Sequence, residues 1–154
     1  MKTDAHTARV IGKNLSISTK HAIVISNAVR GKNLQKSKKF LGDVLEMKVA
    51  VPFTRHNKKV GHRKGKIAAG RYPQNASKKV LQLLNSVEAN AQDKGLNIET
   101  LFIESIIPNK ASRPWHQGRQ RRTKMKRTHL EINVTEKQPK TKETKKQTTK
   151  KIET

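Results

Sequence analysis

The stretch that decides the fold is residues 96–134, LNIETLFIESIIPNKASRPWHQGRQRRTKMKRTHLEINV. Its two ends alternate. Leu101, Ile103 and Ile107 recur along the first, and Leu130, Ile132 and Val134 alternate with His129, Glu131 and Asn133 along the second. A period of two marks half-buried strands, so a hairpin over about 98–134 is predicted, with its strands antiparallel. The middle is different in kind. Residues 108–127 hold eight basic side chains (Lys110, Arg113, Arg119, Arg121, Arg122, Lys124, Lys126 and Arg127), no acid, and only Ala111, Trp115 and Met125 as apolar residues. Arms of about 14 residues at roughly 3.3 Å each would carry the tip some 45 Å from the strand ends. An isolated polar ribbon is marginal in water. Two readings therefore stand side by side: an arm ordered by its partner, or a disordered basic loop.

Upstream, Val10, Ile11, Leu15 and Ile17 read as a short strand or an extended lead-in. Ser18 stands as an N-cap before a stripe of Ala22, Ile25, Ala28 and Val29, which Gly31 ends. Asn33 caps a second helix carrying Leu34, Ser37, Leu41, Val44, Leu45 and Lys48 at spacings of three and four. A third helix is expected after Asn75, with Val80, Leu81, Leu84, Val87 and Ala91 on one face and Gly95 as its stop. Shared burial of these stripes in one core is a better account than a partner groove, because little other apolar material exists to build a core. The fold class is therefore α+β, with three helices packed on a small antiparallel sheet and a long protruding β-hairpin.

Between the second and third helices, residues 49–75 form a second acid-free insert, with Arg55, Lys58, Lys59, Arg63, Lys64, Lys66 and Arg71. It is punctuated by Pro52, Gly61, Gly65, Gly70 and Pro73. A solvated charge run normally mixes signs, so charge of one sign favours contact with phosphates. Within it, residues 61–66 (GHRKGK) look like a phosphate-binding loop. They are one residue short between the glycines, and Ile67 stands where Ser or Thr must hold magnesium, so no nucleotide site is expected.

Composition sets the outer bounds. The 154 residues carry 35 Lys plus Arg against 11 Asp plus Glu, a net charge of +24, and no Cys. Leu, Ile, Val and Phe total 34, enough for a small core only. Without Cys there is no disulfide frame, zinc finger or thiol nucleophile. No apolar run spans a bilayer, and residues 1–4 (MKTD) do not open a signal peptide, so a soluble intracellular protein is expected. One domain over 1–136 is expected, holding +19 of the charge, with a Lys/Thr-rich disordered tail at 137–154. Self-repulsion at this charge is relieved by a polyanion, and nucleic acid is the favoured one.

No catalytic constellation is visible. His56 and His62 lack Cys or nearby carboxylates for a metal site, acids are too sparse for a paired-carboxylate mechanism, and Ser105 and Ser112 lack the flanking glycines of a nucleophile elbow. Neither enzyme activity, nor a metal, nor a cofactor is expected. Trp115, His116, Tyr72 and Phe53 are rings in basic surroundings able to stack on unpaired bases, with core burial the better account for Phe53. A nucleoid-type, non-specific DNA-binding protein shares the charge and is the alternative.

Several stretches together resemble the universal large-subunit ribosomal protein twenty-two family in its archaeal form. They are residues 9–12 (RVIG), 18–22 (STKHA), 51–55 (VPFTR), 57–62 (NKKVGH), 70–73 (GRYP), 87–91 (VEANA), 94–96 (KGL) and 128–131 (THLE). The resemblance runs from about residue 8 to residue 137. It implies a structural constituent of the large ribosomal subunit, bound to large-subunit rRNA and next to neighbouring ribosomal proteins. It further implies a monomer within the cytoplasmic ribosome, with no membrane contact and a hairpin lining the exit tunnel beside the nascent polypeptide. The rRNA-binding residues would be Arg55, Lys58, Lys59, His62, Arg63, Lys64, Lys66 and Arg71 of the insert, together with the eight basic residues of the hairpin. The family's tip carries a Pro followed by a Gly-Arg pair, matched by Pro114 and by Gly118 with Arg119, so Arg113, Pro114, Trp115, His116, Gln117, Gly118 and Arg119 would line the tunnel. Trp115, His116 and Gln117 depart from the basic and small residues more usual there.

Overall fold

A computed structural model describes residues 6–136. The expected tail at 137–154 lies outside the described residues. Strand β1 (Thr7–Leu15) leads into helix α1 (Thr19–Val29) and helix α2 (Leu34–Leu45). The insert follows, closed at its base by β2 (Val51–Pro52) and β3 (Gly70–Arg71). Helix α3 (Gln74–Asp93), β4 (Leu101–Lys110) and β5 (Thr128–Glu136) complete the chain. The main sheet is antiparallel in the order β1-β5-β4, and β2 and β3 pair separately. The class is α+β, as the residue patterns predict.

The helix ends follow local chemistry. Ser18 is the N-cap of α1 by backbone conformation, although its side chain makes no capping bond. Gly31, just past the C-cap, takes the left-handed φ of +74° that a side chain resists. The Asn33 carboxamide oxygen accepts from the Gln35 N–H at 2.9 Å, and its amide donates to the Glu99 carbonyl at 2.7 Å. One residue thus starts α2 and ties it to the turn before β4. Lys48 lies beyond the end of α2.

Helix α3 begins earlier than expected. Pro73, not Asn75, occupies the N-cap, and its carbonyl accepts the Ser77 N–H at 2.9 Å. Proline's fixed φ sets the chain into the first turn without an Asn side chain. At the other end Gly95 N–H donates to Gln92 and Leu96 N–H to Ala91, a paired terminal bond pattern that requires the φ of +72° at Gly95.

Of the two readings of the N-terminal stretch the strand holds, and the alternation expected in β4 is corrected. The N-terminal stretch is a full strand, because β5 supplies its partner from more than a hundred residues away: Ala8 faces Val134 and Val10 faces Ile132. In β4 the alternation breaks at a register shift between Ile103 and Ser105. The extra residue turns the strand over, so Ile106 is buried while Ile107 is 41% exposed. Glu99 is not on the strand at all; it lies in a short 3-10 turn over Ile98–Thr100.

The core lies between the inner sheet face and the helices. Leu101, Ile103, Ile106, Leu130, Ile132 and Val134 from the sheet are completely buried, as are Ile25, Val29, Leu34, Leu41, Leu84 and Val87 from the helices. Gly12 lets β1 approach α3 closely, since a Cβ there would lie 2.8 Å from Leu83 Cδ1. Both sheet edges are covered. Asn90 of α3 and Lys94 at its C-cap donate to the Arg9 and Thr7 carbonyls on the β1 side. On the β4 side Gly31 N–H donates to the Ile103 carbonyl, and Arg30 reaches Ile106 O at 3.1 Å. Covered edges keep the ladder from pairing with a second chain.

The same core bounds the hairpin. Both of its strands, β4 and β5, belong to the body sheet, so only residues 111–127 project. At roughly 3.3 Å per residue that reach is at most about 28 Å, shorter than the ~45 Å expected from counting all of both arms. The arm carries its own cross-bonds: Ala111 N–H to Arg127 O, Met125 N–H to Pro114 O and His116 N–H to Thr123 O. A short 3-10 turn over Gly118–Gln120 reverses it. The arm is thus paired through its own backbone bonds.

Candidate nucleic-acid interface

The start of α1 is where the two basic segments meet. Thr128, completely buried at the root of the arm, donates from its hydroxyl to the Ile17 carbonyl at 3.0 Å. That leaves Thr128 Oγ1 to accept from the Thr19 hydroxyl at 2.9 Å. A buried hydroxyl with both roles filled fixes the arm against the β1–α1 junction.

Beside this anchor lie two open hollows that share the first turn of α1. One, of about 470 Å³, is lined by Ser18, Lys20, His21 and Phe53, and by His56, Lys58 and Arg71 of the insert. The other, of about 480 Å³, is lined by Lys20, Ile23 and His56 together with Lys110, Arg113, Lys126 and Arg127 of the arm. A third hollow on the insert adds His62 and Lys66. Phe53 is buried, and His21 packs edge-on against it at 5.7 Å, which makes the floor apolar and the walls cationic.

His21 reports the convergence. Burial pushes its pKa below the ordinary value, and the charges of Lys126 from the arm and Arg71 from β3 push it the same way. Two cations distant in sequence therefore act on one imidazole.

Of the expected site residues, Lys58, His62, Lys66, Arg71, Lys110, Arg113, Lys126 and Arg127 line these hollows. Arg63 packs over the Tyr72 ring at 5.5 Å and reaches Gly70 O at 3.4 Å, bracing the insert from within. Arg55, Lys59 and Lys64 on the insert, and Arg119, Arg121, Arg122 and Lys124 toward the tip, lie outside the hollows on exposed surface. All sixteen expected rRNA-binding residues are exposed except Arg127, which is half-buried. At the tip Arg113, Pro114, Trp115, Gln117, Gly118 and Arg119 are exposed and His116 is half-buried. Lys20, His21 and His56 were not singled out by charge runs; they join the site only because α1 starts between the insert and the arm.

Among the described residues no ion pair neutralises this charge. Among the described residues the ion pairs join His6 to Glu136, Arg9 to Glu131, Lys38 to Glu88 and Lys48 to Glu46, and none uses an insert or arm cation. No acid lies between Glu46 and Glu88 or between Glu104 and Glu131. Among the described residues no group of three His, Cys, Asp or Glu is placed to hold a metal ion, and no helix is long and apolar enough to cross a membrane.

Such a fold and surface define a small basic α+β protein that presents two acid-free cationic segments on its exposed surface. Comparison with known proteins makes the class definite. The model of the family "Ribosomal protein L22p/L17e" matches residues 10–136, and the chain belongs to that family, one of structural rather than catalytic proteins. Its relatives include the large ribosomal subunit protein uL22 of Archaeoglobus fulgidus, 51% identical over 102 residues, covering 65% of this chain and 66% of that protein. The uL22 of Methanocaldococcus jannaschii is 51% identical over 106 residues, 68% of each chain. That of Nanoarchaeum equitans is 43% identical over 138 residues, 85% of this chain and 79% of the relative. The matched part thus spans about two thirds of the first two relatives.

Proposed function

We propose that this chain is a structural constituent of the large subunit of the cytoplasmic ribosome, binding large-subunit rRNA through its insert and arm. The family supports the ribosomal assignment, and one observation carries the binding mode. The cations of two acid-free segments converge on the first turn of α1, and among the described residues no ion pair uses them. Phosphates of converging rRNA segments neutralise them, releasing counterions, while the helical body holds the arm in place. The arm tip, residues 113–119, lines the nascent-peptide exit tunnel and meets the nascent polypeptide. Neighbouring large-subunit proteins are further partners, and the chain acts as a single copy.

Sedimentation of the native protein with large subunits through high salt tests this. Co-sedimentation, with rRNA outcompeting duplex DNA for the free protein, is the expected result. Release from the subunits together with equal affinity for duplex DNA would favour the nucleoid-type reading instead.

A further inference from the structure

Trp115 is the chain's only tryptophan, and it is 56% exposed near the end of the arm. An indole left in water there gains nothing for the fold. Yet its position is fixed from several sides. Trp115 pairs across the arm with Lys124 in an isolated antiparallel bridge. The flanking backbone is bonded on both sides, by His116 N–H to Thr123 O at 3.0 Å and Met125 N–H to Pro114 O at 2.9 Å. Arg113 adds side-chain bonds to the carbonyls of Met125 (3.0 Å) and Lys124 (3.4 Å). The Lys124 ammonium sits over the indole, 4.3 Å from the ring centroid. One face of the ring is thus occupied by a cation and the rest of its surface is largely open.

We infer that Trp115 is a stacking platform for one unpaired rRNA base, received on the ring face that Lys124 leaves open. The inference rests on the rRNA-binding reading above and assigns a specific contact within it. The surroundings choose the occupant. From residue 105 to residue 130 every charged side chain is basic, so the neighbourhood suits a polyanion at Trp115 even where the tip as a whole borders the tunnel. A base in a duplex has both faces covered by its neighbours, so only an unpaired base has a face to offer. Aromatic stacking of this kind needs no base-specific hydrogen bond, which suits a platform that presents only a π-face and a cation.

Because Trp115 is the sole indole, its emission reports on this contact alone. The full chain is titrated with large-subunit rRNA while the fluorescence lifetime is followed, and affinities are measured for Trp115→Phe, Trp115→Leu and Trp115→Ala. A shortened lifetime on binding is expected, with near-native affinity for Trp115→Phe and a loss of about 5- to 100-fold for both Trp115→Leu and Trp115→Ala. Equal affinity for the Phe and Leu variants would overturn stacking in favour of simple apolar contact. RNA binding with an unchanged lifetime and unchanged variant affinities would overturn the inference while leaving rRNA binding intact. In assembled subunits, an indole shielded only when a nascent chain is present would also overturn it, by making Trp115 a peptide contact. Failure of the wild-type chain to bind rRNA at all would instead remove the reading beneath it. The residue is exposed, and unchanged circular dichroism in each variant verifies that the fold is kept.

Discussion

Replacing residues 112–126 by Asn-Gly separates the arm from the body. Ala111 N–H donates to Arg127 O, so these residues already stand opposite each other at the width a two-residue hairpin turn closes. No residue of 112–126 is buried. Ala111, which is retained, is only 6% exposed. The deletion therefore opens no cavity. Shortening the connection from fifteen residues to two stabilises by at most about 2 kcal/mol from loop closure, offset by the loss of a few exposed cross-arm bonds. The deletion also removes six cations: Arg113, Arg119, Arg121, Arg122, Lys124 and Lys126. At roughly 0.7–0.9 per neutralised phosphate, the slope of log K against log salt should become shallower by up to about 4–5. Filter binding to large-subunit rRNA across a salt series, with thermal unfolding of the same variant, measures both. A slope changed by less than about one would refute the arm's role as a phosphate-binding element. Loss of cooperative unfolding would refute the division into arm and body.

Other outcomes follow from the same contacts. Asn33→Ala removes the α2 cap and its tie to Glu99, so thermal or denaturant unfolding should show a loss of about 1–2 kcal/mol. Thr128→Val keeps the shape but leaves the Ile17 carbonyl and the Thr19 hydroxyl without that partner, costing about 1–3 kcal/mol. Amide exchange near the arm root should quicken in that variant. His21 has a depressed pKa in the folded state, so the unfolded chain binds the extra proton first. Its contribution is complete above the ordinary histidine value of about 6.5 and is lost as pH falls through the depressed one. Comparing unfolding at neutral and mildly acidic pH, His21→Phe should retain packing on Phe53 and lose this part of the acid sensitivity.

Local chemistry made part of this structure readable from sequence. Asn33, Gly31 and Gly95 mark helix ends through their own side-chain or backbone properties, and all three act where expected. Pairing of β1 with β5 was not readable, because it joins segments more than a hundred residues apart and leaves no local mark. The register shift after Ile103 was hidden for a related reason. Ile106 and Ile107 are both apolar, and only the fold decides which of them faces the core. In the interface, the one-signed charge of the insert and arm was plain in the sequence, since acids are missing from both. The gathering of Lys20, His21 and His56 between them was not, because it depends on the arm root being held to the start of α1 by Thr128.

Crosslinking inside assembled large subunits shows whether the insert and arm lie against rRNA. A photoreactive side chain is placed in turn at Lys58, Lys66, Lys110 and Lys126, and at Glu88 on the α2–α3 side as the comparison. Crosslinks to large-subunit rRNA are expected from the four insert and arm positions, with those at Lys58 and Lys126 reaching neighbouring nucleotides because both line hollows at the start of α1. Crosslinks to rRNA from the Glu88 position alone, with the insert and arm silent, would contradict that placement.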